Sequence, residues 1–136
     1  MRDSIRQLFK ESINVKREIL ESDTLIVLAK IGDEIINLIM DNNKIMLCGN
    51  GGSAADAQHL AAEMLVRLRP MNNREGIPAI ALTQDTSTIT ACGNDFGYEK
   101  IFERMVTSLG RKGDCLIGIT TSGNSENVIR AMSAAK

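Results

Sequence analysis

Two short segments concentrate the residues suited to holding an oxyanion. Gly49-Asn50-Gly51-Gly52-Ser53 follows an apolar run and opens a helical pattern. Its backbone N–H groups and the positive end of the helix dipole therefore face whatever lies beyond the strand. Gly49, Gly51 and Gly52 permit close backbone approach or positive φ, and Asn50 and Ser53 add side-chain hydrogen bonds. Thr120-Thr121-Ser122-Gly123-Asn124-Ser125 sits in the same strand-to-helix position and gathers four hydroxyls and one amide around a glycine. Hydroxyls and backbone amides at a helix N-terminus make a neutral, multidentate phosphate cradle. The second segment alone is also an ordinary capped turn, with Ser125 capping its helix. Two of them in one small parallel-sheet domain point to a bound phosphosugar, because open α/β sheets bind ligands beyond the carboxyl ends of their strands. The first segment also fits G-x-G-x-x-A, a weak dinucleotide signal by itself. No acidic residue ends the next strand at the expected position, and a Walker A pattern is absent.

His59 and Glu63 lie four residues apart on the helix that the first segment opens, so they share a face. That spacing suits a shared metal ion, or a base with its partner. A chance histidine above a chance glutamate is the plain alternative, although His59 is the only histidine in the chain. Arg67, one turn further, pairs with a phosphate or merely ends the helix. Gly93-Asn94-Asp95-Phe96-Gly97 reads as a turn whose Asn94 and Asp95 are placed to touch sugar hydroxyls, though both residue types are turn formers in any case. Asp85, Thr86 and Ser87 carry the same ambiguity.

The elements that must position these groups follow from periodicity. Residues 3–21 place Ile5, Leu8, Phe9, Ile13 and Ile19 at helical spacing among charges. Ser22-Asp23-Thr24 breaks that helix and caps a second, whose apolar residues from Leu25 to Ile39 cover more than one face. Such a surface needs two partners, the domain's own sheet and a second subunit, unless the helix is simply buried within the chain. From Lys44 onward, the apolar runs 44–48, 78–82 and 115–119 each stop at a turn and lead into helical patterns near 54–66, 86–92, 98–108 and 125–135. This is the rhythm of a parallel sheet flanked by helices. The reading is therefore an α/β fold, with an N-terminal helical pair over 1–43 and an α/β unit over 44–136 in one structural domain. Three parallel strands leave an open edge, and the sequence stops in a helix that should feed a fourth, so a missing C-terminal part is expected.

Composition excludes several classes. The 136 residues are 43% hydrophobic, enough for one core, and the net charge of −1 offers no basic field for nucleic acid or an anionic membrane. Cys48, Cys92 and Cys115 are odd in number, show no C-x-x-C spacing and read as reduced, mostly buried thiols. With no signal-peptide pattern at Met1 and every apolar stretch broken by charge, a cytoplasmic location is expected.

Together, C-G-N-G-G-S-A-A-D-A-Q-H at 48–59, A-A-E at 61–63, G-N-D-F-G at 93–97 and T-T-S-G-N-S at 120–125 closely resemble the sedoheptulose 7-phosphate (phosphoheptose) isomerases of the sugar isomerase (SIS) domain family. The resemblance implies a flavodoxin-like three-layer fold and a cytoplasmic homotetramer. It also implies conversion of D-sedoheptulose 7-phosphate to D-glycero-D-manno-heptose 7-phosphate by an enediol route, toward the heptose of lipopolysaccharide or other surface glycans. Carried onto this sequence, Asn50, Gly51, Gly52 and Ser53 line the sugar site and Asn94 and Asp95 contact the substrate. Thr120, Thr121, Ser122 and Ser125 hold the phosphate. His59 and Glu63 match zinc ligands, and Glu63 also matches a substrate contact and the proposed catalytic base. Thr120 stands where the family usually has serine, which keeps the hydroxyl.

The resemblance also places a glutamine and a histidine in a C-terminal region beyond Lys136, where they complete the zinc site and supply the acid. On that basis these 136 residues are expected to be inactive alone and to bind zinc weakly. A related branch of the family is a non-catalytic adaptor that binds the bacterial replication initiator. That branch lacks the glutamate matching Glu63 and alters the double glycine, so Glu63 and Gly51-Gly52 point to the enzyme. A sugar-phosphate sensor would carry a DNA-binding domain, and none is visible.

Overall fold

The continuous apolar run Ile45-Met46-Leu47-Cys48 forms a central strand buried along its whole length, as a parallel strand covered on both faces requires. In the computed structural model, which describes residues 1–136, the elements are α1 (Arg2–Leu20), α2 (Thr24–Met40), β1 (Ile45–Gly49), α3 (Gly52–Leu65), β2 (Ala79–Ala81), α4 (Thr86–Phe96), a 3-10 turn (Tyr98–Lys100), α5 (Ile101–Leu109), β3 (Cys115–Ile119) and α6 (Glu126–Ala134). They group into two compact units, Met1–Asn37 and Leu38–Lys136.

In the first unit, α1 ends where the Glu21 N–H bonds the Arg17 carbonyl, and Ser22 Oγ donates to the Ile19 carbonyl while accepting from Thr24 N at 3.2 Å. That hydroxyl closes one helix and starts the next. No residue of α1 or α2 is buried. Leu25, Ile26, Leu28, Ile31 and Ile36 are exposed. No helix is long and apolar enough to cross a membrane.

The second unit is built on a three-stranded parallel sheet of order β2-β1-β3, with Ile45 opposite Ala79 and Cys115, and Gly49 opposite Ile119. Alternation along β1 sends Met46 and Cys48 into a core with Leu82, Cys92, Ile101, Phe102, Met105, Val106, Val128 and Ala131, so α4, α5 and α6 share one face. Burying Phe102 there contributes on the order of 2–3 kcal/mol. Ile45 and Leu47 point to the other face, where α3 packs through the small residues Ala57 and Ala61 one turn apart. This is the three-layer arrangement expected from the sequence. At the N-terminal end of the strands, Asp114 accepts from Lys44 Nζ, from Lys44 N at 2.9 Å and from Arg111 N at 2.7 Å, which pins β3 to β1.

Burial pushes the Cys48 thiol up to about 11 and raises that of half-buried Cys115, so both stay protonated at neutral pH. The turn expected at residues 93–97 is instead the last turn of α4. Asp85 caps that helix through Ser87 N at 3.0 Å and the Thr88 hydroxyl, and Cys92 faces the core, so packing overrides the turn propensity of Gly93-Asn94-Asp95. The helix stops at Gly97, whose φ of 92° suits glycine.

Candidate ligand site at the strand ends

The chain leaves β1 for β2 on one side and later places β3 on the other, so the loops after β1 and β3 diverge at a topological switch point. Such points open a crevice beyond the strand ends. Both sequence-predicted loops lie there.

The first loop is shaped by backbone. A Cβ on Gly49 would stand 2.7 Å from the Ser53 carbonyl oxygen, so only glycine lets α3 start this close to the strand. Gly51 takes the N-cap position at φ 56° with no side-chain cap. Gly52 needs neither freedom: its φ is ordinary, and a Cβ there would meet nothing within 4 Å. Its bare Cα leaves open the space before the helix N-terminus, where the first N–H groups have no intrahelical acceptor. Half-buried Ser53 donates its backbone N–H to the Asn50 carbonyl at 3.0 Å.

The second loop is shaped by side chains. Thr120 Oγ1 lies 3.4 Å from Ser122 Oγ and 3.3 Å from Ser125 Oγ and accepts from Gly123 N at 3.2 Å. Ser122 Oγ accepts from Asn124 N at 3.1 Å, and Thr121 is exposed. Ser125 occupies the N-cap of α6 without making a side-chain cap bond. Its hydroxyl turns instead toward Thr120, which corrects the plain capped-turn reading and gathers three hydroxyls beside uncapped N–H groups.

Asn50 has a more definite role than its sequence position suggested. Its Nδ2 donates to Asn127 Oδ1 at 2.9 Å, its Oδ1 accepts from Asn127 Nδ2 at 2.8 Å, and the Tyr98 hydroxyl donates to the same Oδ1 at 3.0 Å. The side chain therefore bridges the two loops, leaving the neighbouring glycine backbone to face the crevice. Asn127 and Tyr98 were not singled out from sequence. Tyr98 and Asn127 lie just beyond the motifs at 93–97 and 120–125, and the partner of each is 48 and 77 residues away.

On α3, His59 Nε2 stands 3.7 Å from Glu63 Oε1, with side chains 73% and 28% exposed. That is too long for a hydrogen bond and close to the edge of a tetrahedral zinc site, about 3.4 Å from typical Zn–N and Zn–O bonds. An imidazole and a carboxylate are suitable zinc donors, so this pair fits a shared ion. No group of three or more His, Cys, Asp or Glu side chains is assembled for a metal in this chain. No hydrogen bond or ion pair joins His59 or Glu63 to either loop. The exposed Asn94 donates to Asp95 at 2.8 Å on the last turn of α4. Arg67 lies beyond the end of α3 and donates to the Pro70 carbonyl at 3.3 Å, while Arg74, unnoticed in the sequence, donates to the Glu63 and Met64 carbonyls at 2.7 and 2.8 Å. A guanidinium on the last carbonyls of a helix satisfies acceptors otherwise left free, and here it steadies the turn that carries Glu63.

Two helix N-termini beside the switch point of an open α/β sheet form a geometry suited to holding an anion. The pattern of the SIS domain family matches residues 7–136, and the chain belongs to that family. A curated phosphoheptose isomerase of Roseiflexus sp. (strain RS-1) is 53% identical over 125 residues, 92% of this chain and 62% of that protein. That of Aneurinibacillus thermoaerophilus is 47% identical over 137 residues, covering 100% of this chain and 68% of the relative. The solved phosphoheptose isomerase of Neisseria gonorrhoeae superposes with a TM-score of 0.86 at 45% identity, over 98% of this chain and 68% of the other. The chain thus spans about two thirds of the length of the relatives it matches, and its motif resemblance to phosphoheptose isomerases extends through the matched region.

Proposed function

We propose that this chain carries the sugar-phosphate site of a phosphoheptose isomerase, interconverting D-sedoheptulose 7-phosphate and D-glycero-D-manno-heptose 7-phosphate in the cytoplasm, for the heptose of lipopolysaccharide or another surface glycan. The observation that carries the reading is the pair of cradles at the switch point, one of backbone and one of hydroxyls, in a chain about half identical to proteins of that name. The phosphate sits against Thr120, Thr121, Ser122, Ser125 and the first turn of α6, and the sugar lies toward Asn50, Gly51, Gly52, Ser53, Asn94 and Asp95. Nothing in the fold or the relatives favours the initiator-binding adaptor.

Aldose-ketose interconversion moves one proton from C1 to C2 and another between the two oxygens. Glu63 takes the proton from C1 to give an enediol and returns it to C2, a task for a carboxylate held against an acidified C–H bond. His59 and Glu63 are the residues that would hold a zinc ion. Bound there, zinc supplies Lewis-acid stabilisation of the developing oxyanion. Arg74, bonded to the Glu63 carbonyl, keeps that turn in place. The exposed apolar faces of α1 and α2 support assembly into a homotetramer, since contiguous apolar surface marks an interface.

In the intact protein, Glu63→Gln should abolish isomerisation while sedoheptulose 7-phosphate still binds by calorimetry. Turnover close to wild type would remove Glu63 from the mechanism. A chelator arm in the same assay reports the metal.

A further inference from the structure

Asn127 is a buried polar residue, at 3% exposure. A buried amide is costly unless its donors and acceptors are met, and this one is met with a defined polarity. Its Oδ1 accepts from Val128 N at 3.0 Å as well as from Asn50 Nδ2, so the oxygen must face those donors and Nδ2 must face Asn50 Oδ1. At the other end Asn50 Oδ1 also accepts from the Tyr98 hydroxyl, but a hydroxyl can donate or accept, so the Val128 N–H is the donor that sets the polarity. It fixes the Asn127 amide, and the paired bonds then fix Asn50. Asn50 is the first residue after β1, and its carbonyl accepts from Ser53 N at the start of α3. Asn127 lies in the first turn of α6, one residue beyond Glu126. The pair therefore spans the switch point and joins the helix that receives one cradle to the loop that forms the other.

We propose that Asn127 is a positioning residue that couples the two ligand loops: it holds the Asn50 amide in one orientation, so that an anion seated on the second loop orders the Gly51-Gly52 backbone of the first. This rests on the reading of the loops as sugar-phosphate cradles. Asn127 itself does not touch the ligand.

The test uses the intact protein and inorganic phosphate, followed at backbone amides by NMR. In the wild type, phosphate should shift the amides of Ser122, Gly123 and Ser125 and also those of Gly51 and Gly52. In Asn127→Asp, a carboxylate oxygen opposes Asn50 Oδ1. The second loop should then keep its phosphate response, with affinity within about threefold, while the Gly51 and Gly52 shifts disappear. With sedoheptulose 7-phosphate, kcat should fall about tenfold to a hundredfold while KM changes far less, the pattern of a displaced reacting geometry. Tyr98→Phe removes one exposed hydroxyl and should weaken the Gly51 and Gly52 response in the same direction; it decides the matter if the Asp variant does not fold. Unchanged Gly51 and Gly52 shifts in either folded variant overturn the coupling. A wild-type response confined to the second loop also overturns the coupling and leaves the ligand reading intact. No response at either loop overturns the ligand reading, and the coupling with it.

Discussion

The loops after β1 and β3 occupy equivalent positions, each ending a parallel strand and opening a helix, yet they hold their shapes by different means. The first depends on glycine geometry at Gly49 and Gly51 and on an amide 77 residues away. The second holds itself together, with Thr120, Ser122 and Ser125 bonded among their own hydroxyls and backbone. A loop made of hydroxyls is pre-formed for a tetrahedral anion. A loop made of bare backbone is adjustable and takes its orientation from elsewhere. The difference matches a division of labour in which one cradle anchors a constant phosphate and the other meets the varied part of a sugar.

Several substitutions sharpen this contrast. The largest effect on the fold should come from Gly49→Ala, which drives a methyl into the Ser53 backbone at the end of the central strand. Denaturant melts should show a loss of about 1–3 kcal/mol or more. Gly52→Ala, three residues on, should leave the melt unchanged within about 0.5 kcal/mol, because its Cβ meets nothing, while blocking the sugar's approach and lowering its affinity by calorimetry. Equal melting losses for the two would erase the distinction drawn within the first loop. Ser125→Ala should weaken phosphate binding about tenfold, as loss of one hydrogen bond to a charged group predicts, with little change in stability.

The opposite end of the same strand pair provides a control. Burial works to raise the Asp114 carboxyl, but bonds from the Lys44 side chain and backbone and from Arg111 N, together with the Lys44 charge, hold it below the ordinary value. A depressed folded pKa contributes stability that is complete above the unfolded value near 3.9 and is lost as pH falls through the folded one. Asp114→Asn should therefore lower stability by about 1–3 kcal/mol at neutral pH, with the deficit shrinking below about pH 4, and should leave ligand affinity unchanged. A deficit that grows on acidification would contradict the assignment. The smallest effect is chemical: Cys115, half-buried, should react with an alkylating reagent before the buried Cys48 and Cys92, as peptide mapping would read.

Much of this was legible in the sequence for physical reasons. The strands 45–49 and 115–119 announced themselves as short apolar runs ending at turn chemistry, and the second loop showed its hydroxyls directly. His59 and Glu63 share a helix face because helical spacing is local. The misreadings arose where tertiary contacts decide. Asn94 and Asp95, expected in a turn, belong to a helix because Cys92 packs inward. Asn127, Tyr98 and Arg74 carried no local sign of their roles, since each is defined by a partner on another element.

The central claim is that the two loops form one site for a phosphorylated sugar. Titrating the intact protein with sedoheptulose 7-phosphate and with unphosphorylated sedoheptulose, by calorimetry and amide NMR, tests it directly. The phosphorylated sugar should bind about a hundredfold more tightly and perturb both loops together, as two or more charge-assisted bonds to phosphate require. Equal affinity for the two sugars, or shifts that avoid residues 120–125, would contradict it.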